Sequence, residues 1–150
     1  MVQSYVVAPE QEGAAILIVL DTSAASAVMH GIESAIERLA NERPDEVILV
    51  APVAAEIWFG LERLNRGSRR RRLLEAEYAR LRGALRWEDW TEDAALELGR
   101  QKARLARLGR PIEDFDVAIG SLALALDARL ATLNVKHMAR LDGLTVEDWS

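Results

Sequence analysis

The sequence predicts an α/β domain in which a parallel sheet lies between layers of helices. Two short runs rich in β-branched residues and leucine, at 16–20 and 47–51, have the length and composition of buried strands. A helical pattern follows each run, and a third short strand is predicted at 129–133. Because strands that alternate with helices pair in parallel, we expect a three-layer α/β/α sandwich with a mostly parallel sheet of four to five strands.

The first half of the chain alternates strand and helix. The strand at 16–20 leads into a largely helical segment, 23–41, which Gly31 interrupts. A Pro-Asp turn precedes the strand at 47–51. Pro52 then suits the first turn of a helix, because a proline there loses no hydrogen bond that the helix needs.

The second half begins with two polar helices. The segment 65–68 ends the helix that follows the second strand and caps the next one. The buried stripe of that next helix is formed by Leu74, Tyr78, Leu81 and Leu85. Thr91 is the predicted N-cap of a helix that runs to about Leu108. A very apolar helix is predicted at 115–126, and strands at 129–133 and 144–146.

Length, composition and charge restrict the class of protein. The 150 residues suffice for one domain, and 50% of them are apolar, which excludes wholesale disorder. The longest apolar run, 14–20, is too short to cross a bilayer and no Lys or Arg precedes it, so we expect a cytoplasmic protein with no membrane segment. Residues 1–15 are expected to be a flexible N-terminal extension, and 16–150 the domain.

The charged and metal-binding residue types limit the chemistry. The net charge of −5 argues against a surface made for long nucleic acid, although a local basic patch remains compatible with it. The chain has no cysteine and two histidines, which excludes disulfides, thiolate metal sites and cysteine nucleophiles. Any metal must therefore be held largely by oxygen.

Four oxygen-bearing side chains stand near the predicted carboxyl edge of the sheet, where sites form in parallel sheets. Asp21 directly follows the first strand, and Glu56 lies one turn into the helix that leaves the second. Asp116 stands near the start of the apolar helix, and Asn134 follows the strand at 129–133. We expect the four side chains to converge on one pocket.

Three carboxylates in one pocket raise one another's pKa values unless a cation compensates their charge. Mg²⁺, or Mn²⁺, suits such a set, with Asp21, Glu56 and Asp116 as ligands and Asn134 completing the shell. A bound divalent ion lowers the pKa of its water and stabilises charge on a phosphoryl oxygen. The predicted reaction is metal-assisted cleavage of nucleic acid.

These residues stand in short motifs whose order carries a resemblance. The motifs are Leu20-Asp21-Thr22-Ser23, Ala54-Ala55-Glu56-Ile57, Gly109-Arg110-Pro111-Ile112, Asp116-Val117-Ala118-Ile119, Leu130-Ala131-Thr132-Leu133-Asn134-Val135 and Leu144-Thr145-Val146-Glu147-Asp148-Trp149. From Ile16 to Trp149 this order and spacing resembles the PIN domain, and specifically the VapC-type toxins of bacterial toxin–antitoxin pairs. The resemblance implies a Mg²⁺-dependent endoribonuclease that cleaves a structured cellular RNA, forms a homodimer and is neutralised by a cognate antitoxin.

By position, Asp21, Glu56 and Asp116 match the first three acidic residues of the family. The fourth is usually Asp, and here it is Asn134, so the site holds three negative charges instead of four. An amide oxygen can still ligate a cation or orient a water. The alternative function is a catalytically weakened PIN-like module that binds RNA or protein.

Each candidate also has a structural interpretation. Asp21 suits a helix cap, Glu56 a surface ion pair and Asn134 a turn. Asp116 is different, because Asp114 is already available as a cap and Asp116 projects onto an apolar helix. Receiver domains and haloacid-dehalogenase-like phosphatases also place an Asp after the first strand, but the phosphatase's second Asp is replaced here by Ser23. A receiver would further need an earlier acidic pair and a late lysine.

One basic run stands out in an acidic chain, namely Arg69, Arg70, Arg71 and Arg72. Four cations in the first turn of a helix oppose its macrodipole, so helix stability gives no reason for them. The run is either a solvated helix start or a contact for RNA phosphates. Trp58 and Phe59 suit either the core or a protein interface, and His137 is interpreted as a surface loop residue or a phosphate contact.

Overall fold

The central sheet has five strands, all parallel. A computed structural model describes residues 17–150, so the predicted extension 1–15 and Ile16 lie outside the described residues. The strands are β1 (Ile18–Leu20), β2 (Val47–Val50), β3 (Arg86–Glu88), β4 (Arg129–Thr132) and β5 (Val146–Asp148). Their order in the sheet is β3-β2-β1-β4-β5, and every neighbouring pair is parallel. The predicted parallel α/β class is confirmed.

Seven α-helices flank the sheet within residues 17–150. They are α1 (Thr22–Met29), α2 (Glu33–Ala40), α3 (Ala51–Glu62), α4 (Arg69–Ala84), α5 (Glu92–Arg107), α6 (Asp114–Ala125) and α7 (Val135–Met138), with a 3₁₀ turn at Pro44–Glu46. Because parallel crossovers are right-handed, the reversal of strand order at β1 places helices on both faces of the sheet. None of the helices in this part of the chain combines the length and apolar character that a membrane crossing requires.

The strand order also locates the candidate site. Chain connections leave β1 toward β2 and β3 on one side, and the later strands β4 and β5 lie on the other. A crevice therefore opens beyond the carboxyl end of β1, where ligands bind in open parallel sheets. The main-chain N–H of Asp21 donates to the carbonyl oxygen of Ala131 at 3.0 Å, which ties this end of β1 to β4.

Burial on both faces of the sheet explains why β1 and β2 are unbroken apolar runs in the sequence. Every residue of β1 and β2 is fully buried, as expected when helices cover both faces of a parallel sheet. On α6, Gly120 allows a close approach, because a Cβ atom there would lie 2.1 Å from Cδ1 of Leu141. Gly31 has a φ of +76°, a conformation that glycine adopts without strain, and it separates α1 from α2 as predicted.

The predicted helix starts are mostly confirmed. The side chain of Ser68 caps α4 by accepting from the N–H of Arg71 at 3.1 Å, and Thr91 caps α5 by accepting from Ala94 at 3.1 Å. The interpretation of Asp114 as a cap is wrong. The N-cap of α6 is Glu113, without a side-chain cap bond, and Asp114 instead forms an ion pair with Lys102 at 2.9 Å.

Three short elements differ from the prediction. β3 was not predicted, because its three residues alternate charge and aromatic ring at the edge of the sheet and form no apolar run. The last strand is Val146–Asp148 instead of 144–146, since the pairing of Leu130 with Val146 sets its register. The segment after Asn134 is the short helix α7, so His137 lies on a helix and not in a loop.

Candidate active site

Asp21 stands at the junction of β1 and α1, and it is the N-cap of α1. Its Oδ1 atom accepts from the N–H of Ala24 at 2.9 Å and from the hydroxyl of Ser23 at 2.6 Å. The residue is only 6% exposed. Burial raises the pKa of Asp21 above its ordinary value, and the charge of Asp116 adds to this, whereas hydrogen bonds from Ser23, Thr132 and Ala24 oppose it. The carboxylate is thus a helix cap and also a buried group for which residues 17–150 supply no compensating positive charge.

Two hydroxyl groups connect Asp21 to the turn that follows β4. The Ser23 hydroxyl donates to Asp21 and accepts from the N–H of Leu133 at 2.9 Å. It also lies 3.3 Å from Oγ1 of Thr132, which accepts from the N–H of Asn134 at 2.9 Å. These bonds satisfy main-chain groups at the carboxyl end of β4 and hold the turn that carries Asn134 against the start of α1.

Glu56 reaches the same region from α3. Its Oε1 atom accepts a hydrogen bond from the hydroxyl of Thr22, the residue that directly follows Asp21. Glu56 is partly buried, and it forms no ion pair within the described residues, so the interpretation as a surface ion pair is not supported. The contact places this carboxylate beside the first turn of α1.

Asp116 is held by a contact with the side chain of His137. Its Oδ2 atom lies 2.9 Å from Nε2 of His137, and both side chains are 29% exposed. Asn134 occupies the N-cap position of α7 with an exposed side chain that makes no cap hydrogen bond. The predicted turn role of Asn134 is therefore filled by its main chain, and its amide remains accessible to solvent.

The predicted site residues are connected by contacts that the sequence did not predict, made by Thr22, Ser23, Thr132 and His137. The first two follow Asp21 directly, and Thr132 lies two residues before Asn134. Hydroxyl side chains close to Asp21 and Asn134 in the sequence were therefore an available signal. No local signal pairs His137 with Asp116, because the two are 21 residues apart.

The donor set suits a hard divalent cation by its chemistry. Within residues 17–150, no three acidic or histidine side chains lie close enough together to form a ready metal-binding group, so the expected convergence of Asp21, Glu56 and Asp116 on one pocket is not confirmed. Mg²⁺, however, is usually held by one or two carboxylates, and waters and substrate phosphates supply the remaining ligands. Asp21 and Asp116 interact electrostatically, and their oxygens suit such an ion. A nearby cation would favour the charged form of Asp21 and so lower its raised pKa.

The arginine run at the start of α4 divides into two kinds of residue. Arg71 is buried, and its guanidinium contacts Glu62 and Glu75, each at 2.8 Å. Arg69 and Arg70 are exposed, and Arg70 lines a groove together with Thr22 and Glu56. Arg71 therefore joins α3 to α4 and does not face a phosphate, contrary to the expectation for the whole run.

Arg72 completes the run, and Trp58 and Phe59 lie on the neighbouring helix. Arg72 is exposed and donates to the carbonyl of Gly67 at 2.7 Å. Trp58 packs edge-on against Tyr78 with 5.5 Å between ring centroids. Phe59 is 66% exposed, and the guanidinium of Arg63 lies 5.5 Å from its ring centroid. Both aromatic residues are exposed and not part of the buried core.

Comparison with known proteins agrees with this fold. Residues 18–144 match the family model described as PIN domain. The chain is 26% identical over 131 residues to the tRNA(fMet)-specific endonuclease VapC of Shigella flexneri, which covers 87% of this chain and 96% of that protein. Among solved structures, VapBC2 from Rickettsia felis bound to a promoter DNA fragment gives a TM-score of 0.77 at 22% identity, covering 89% of this chain and 99% of that one. VapBC-1 from nontypeable Haemophilus influenzae gives 0.71 at 25% identity, covering 89% and 98%.

Proposed function

Because the chain belongs to the PIN domain family, we propose that it is an endoribonuclease toxin that depends on Mg²⁺ or Mn²⁺ and is neutralised by a cognate antitoxin. The observation that carries this proposal is the arrangement around the first turn of α1. Asp21 caps that turn, Thr22 bonds to Glu56, and Ser23 connects Asp21 to the strand end beside Asn134. Carboxylates that are each held by a hydrogen bond, at the point where the strand order reverses, suit a site that hydrolyses a phosphodiester.

The relatives indicate the class of substrate and partner. The Shigella flexneri relative is named for cleavage of tRNA(fMet), and we infer a structured RNA as the substrate here. The Rickettsia felis and Haemophilus influenzae structures are VapBC assemblies, and we infer a VapB-type antitoxin as partner. A homodimer of this chain belongs to the same proposal.

In the proposed mechanism, the carboxylate oxygens of Asp21 and Asp116 would hold the cation. When bound, the cation lowers the pKa of a coordinated water and stabilises charge on the phosphodiester. Glu56 is held at Oε1 by Thr22, which leaves its second oxygen to accept a hydrogen bond from a water molecule. The amide of Asn134 would complete the shell, and His137 orients Asp116. No side chain acts as a nucleophile.

The alternative is a PIN-like binding module with weakened catalysis, and the amide at Asn134 is the observation that favours it. One missing charge weakens cation binding but removes neither Asp21 nor Asp116. The presence of all three carboxylates, each with its own hydrogen-bond partner, favours the enzyme.

The deciding experiment compares the wild type with Asp21→Asn and Asp116→Asn. We expect both variants to lose growth arrest on induction and to lose Mg²⁺-dependent cleavage of an initiator tRNA transcript. Asp45→Asn is the matched control, because Asp45 is exposed just before β2, at the opposite edge of the sheet. Equal toxicity of wild type and both site variants, or cleavage that survives EDTA, would contradict the proposal.

A further inference from the structure

A second group of arginines lies near Asp116, far in sequence from the run at Arg69. Arg104 and Arg107 stand in the last turn of α5, Arg110 lies in the loop that follows, and Arg140 follows α7. We call these four residues the Arg140 cluster. No local charge run reveals the cluster, since its members are spread over 37 positions of the sequence.

Main-chain contacts bring the three segments of the cluster together. Nη1 of Arg104 donates to the carbonyl of Arg140 at 2.9 Å. Nη2 of Arg140 in turn donates to the carbonyls of Arg110 and Pro111. Behind them, the buried side chain of Gln101 exchanges two hydrogen bonds with the main chain of Asp142, at 2.9 and 3.0 Å. The cluster thus sits on a rigid base.

The cluster adjoins the candidate active site. The N–H of Arg140 donates to the carbonyl of His137 at 3.4 Å, and the ring of His137 contacts Asp116. The loop containing Arg110 leads directly into α6, which carries Asp116 in its first turn. On the other side of the site, the exposed Arg70 lines the groove that contains Glu56. Arginines therefore flank the acidic residues on both sides.

The arginines of the cluster form no ion pairs in the described part of the chain. Within residues 17–150, none of its four members forms an ion pair with a carboxylate, and the contacts of Arg104 and Arg140 go to main-chain carbonyls. The neighbouring Glu97 is paired with Arg100, and the exposed Asp142 lines the same groove as Arg104 and Arg107. Each guanidinium has five donors, so these contacts leave most of them available to an anion.

The dipole of α5 explains only part of the cluster. A cation in the last turn of a helix is favourable, which accounts for Arg104 and Arg107. Arg110 lies two residues beyond the C-cap of α5 and Arg140 follows α7, so neither stands in the last turn of α5. An anionic ligand would account for all four, and guanidinium groups match phosphate oxygens in geometry.

We propose that the Arg140 cluster binds phosphates of the RNA substrate on the Asp116 side of the site. This inference rests on the proposed ribonuclease function. A chain with a net charge of −5 and an acidic site repels a polyanion over most of its surface. Arginines next to the site that form no ion pair supply the local attraction that brings a phosphodiester to the carboxylates.

The test uses the double variant Arg107→Gln/Arg110→Gln, because neither side chain makes a hydrogen bond or ion pair among the described residues and the fold does not depend on them. Fluorescence anisotropy measures binding of a labelled initiator tRNA transcript in EDTA, where cleavage does not occur, over a series of salt concentrations. We expect at least about fivefold weaker binding at low salt, and a salt slope lower by about 1.5, since each phosphate contact contributes about 0.7–0.9.

The control is Arg43→Gln/Arg80→Gln, which removes the same charge from two exposed arginines that are already ion-paired. We expect its tRNA affinity to stay within about twofold of wild type, because exposed ion-paired arginines contribute little to distant binding. An equal loss of affinity in the control would attribute the effect to net charge and overturn the inference.

The outcomes separate this inference from the proposed function. If the wild type binds and cleaves the tRNA and the Arg107→Gln/Arg110→Gln variant binds with unchanged affinity and salt slope, the inference is wrong and the function stands. If that variant keeps its RNA affinity but loses a VapB-type antitoxin, the cluster is a protein interface and the inference is again wrong. A wild type that neither binds nor cleaves RNA overturns the function itself.

Discussion

Nε2 of His137 lies 2.9 Å from Oδ2 of Asp116, and this contact joins α7 to the first turn of α6. A hydrogen bond to one carboxylate oxygen restricts the rotation of the side chain and leaves the other oxygen, Oδ1, free to point toward a cation. Partners of this kind typically change metal affinity or activity by about 10- to 100-fold. His137 is therefore a positioning residue for the proposed reaction.

Replacing His137 tests this role. We expect His137→Ala to lower Mg²⁺-dependent tRNA cleavage by about 10- to 100-fold and to weaken Mg²⁺ binding measured by calorimetry. His137→Gln should restore part of both, because its amide can still donate to Asp116. If Ala and Gln variants behave alike at an unchanged Tm, orientation by a hydrogen bond is not the function of His137.

The bond from Thr22 to Glu56 predicts a separate effect on turnover. Thr22→Val keeps the shape of the side chain and removes the donor that holds Oε1 of Glu56. We expect kcat to fall by about tenfold or more with little change in KM, since the loss concerns orientation at the reacting centre. Thr22→Ser retains the hydroxyl and is the control, and a Val variant as active as the Ser variant would refute the role.

Asp21 is predicted to lower the stability of the metal-free protein. Burial and the charge of Asp116 raise the pKa of Asp21, so the folded state binds its proton more tightly than the unfolded state. The stability gained from that proton is present at low pH and is lost as pH rises through the raised pKa. Asp21→Asn keeps a good helix cap without the charge. We therefore expect a higher Tm for the variant in EDTA at neutral pH, and a smaller difference as the pH falls.

Added Mg²⁺ should reverse the order of the two Tm values, so that the wild type becomes more stable than Asp21→Asn. The wild type gains stability from the cation, because a ligand that binds only the folded state stabilises it, whereas the Asn variant gains little. Cleavage by Asp21→Asn should fall by about 10³-fold or more, since a catalytic cation contributes several kcal/mol. A variant less stable than wild type in EDTA at neutral pH would show that the buried charge of Asp21 does not destabilise the fold.

Arg70 and Arg71 are neighbours in the arginine run, but we expect one to affect RNA binding and the other stability. Arg71→Gln removes the buried link from α4 to Glu62 and Glu75 and should lower the Tm. Arg70→Gln should change stability by no more than about 0.5 kcal/mol, as exposed substitutions do, and should weaken tRNA binding and its salt dependence without affecting Mg²⁺ affinity. Thermal unfolding, calorimetry and anisotropy on both variants decide this. An equal decrease in Tm for the Arg70 and Arg71 variants would contradict this division of the run.

The elements that sequence reasoning predicted well are those with a local signature. β1 and β2 are unbroken apolar runs because helices cover both faces of the sheet, and Ser68 and Thr91 cap helices through bonds that span three residues. β3 has no such signature and was missed, and the predicted bounds of β5 were displaced, because both strands lie at the edges of the sheet, where pairing sets their limits. Asp21 and Asn134 follow β1 and β4, as the predicted strand ends indicated.

The sequence alone determined the parallel α/β class, the main strands and helices, and the placement of Asp21, Glu56 and Asn134 at one edge of the sheet. Only the tertiary structure decided that Thr22 holds Glu56, that His137 contacts Asp116, that Arg71 is buried and that Arg140 meets Arg104. Periodicity and capping act within a few residues and are visible in the chain. These four contacts join residues of different elements, and the packing of helices around the sheet brings them within hydrogen-bonding distance.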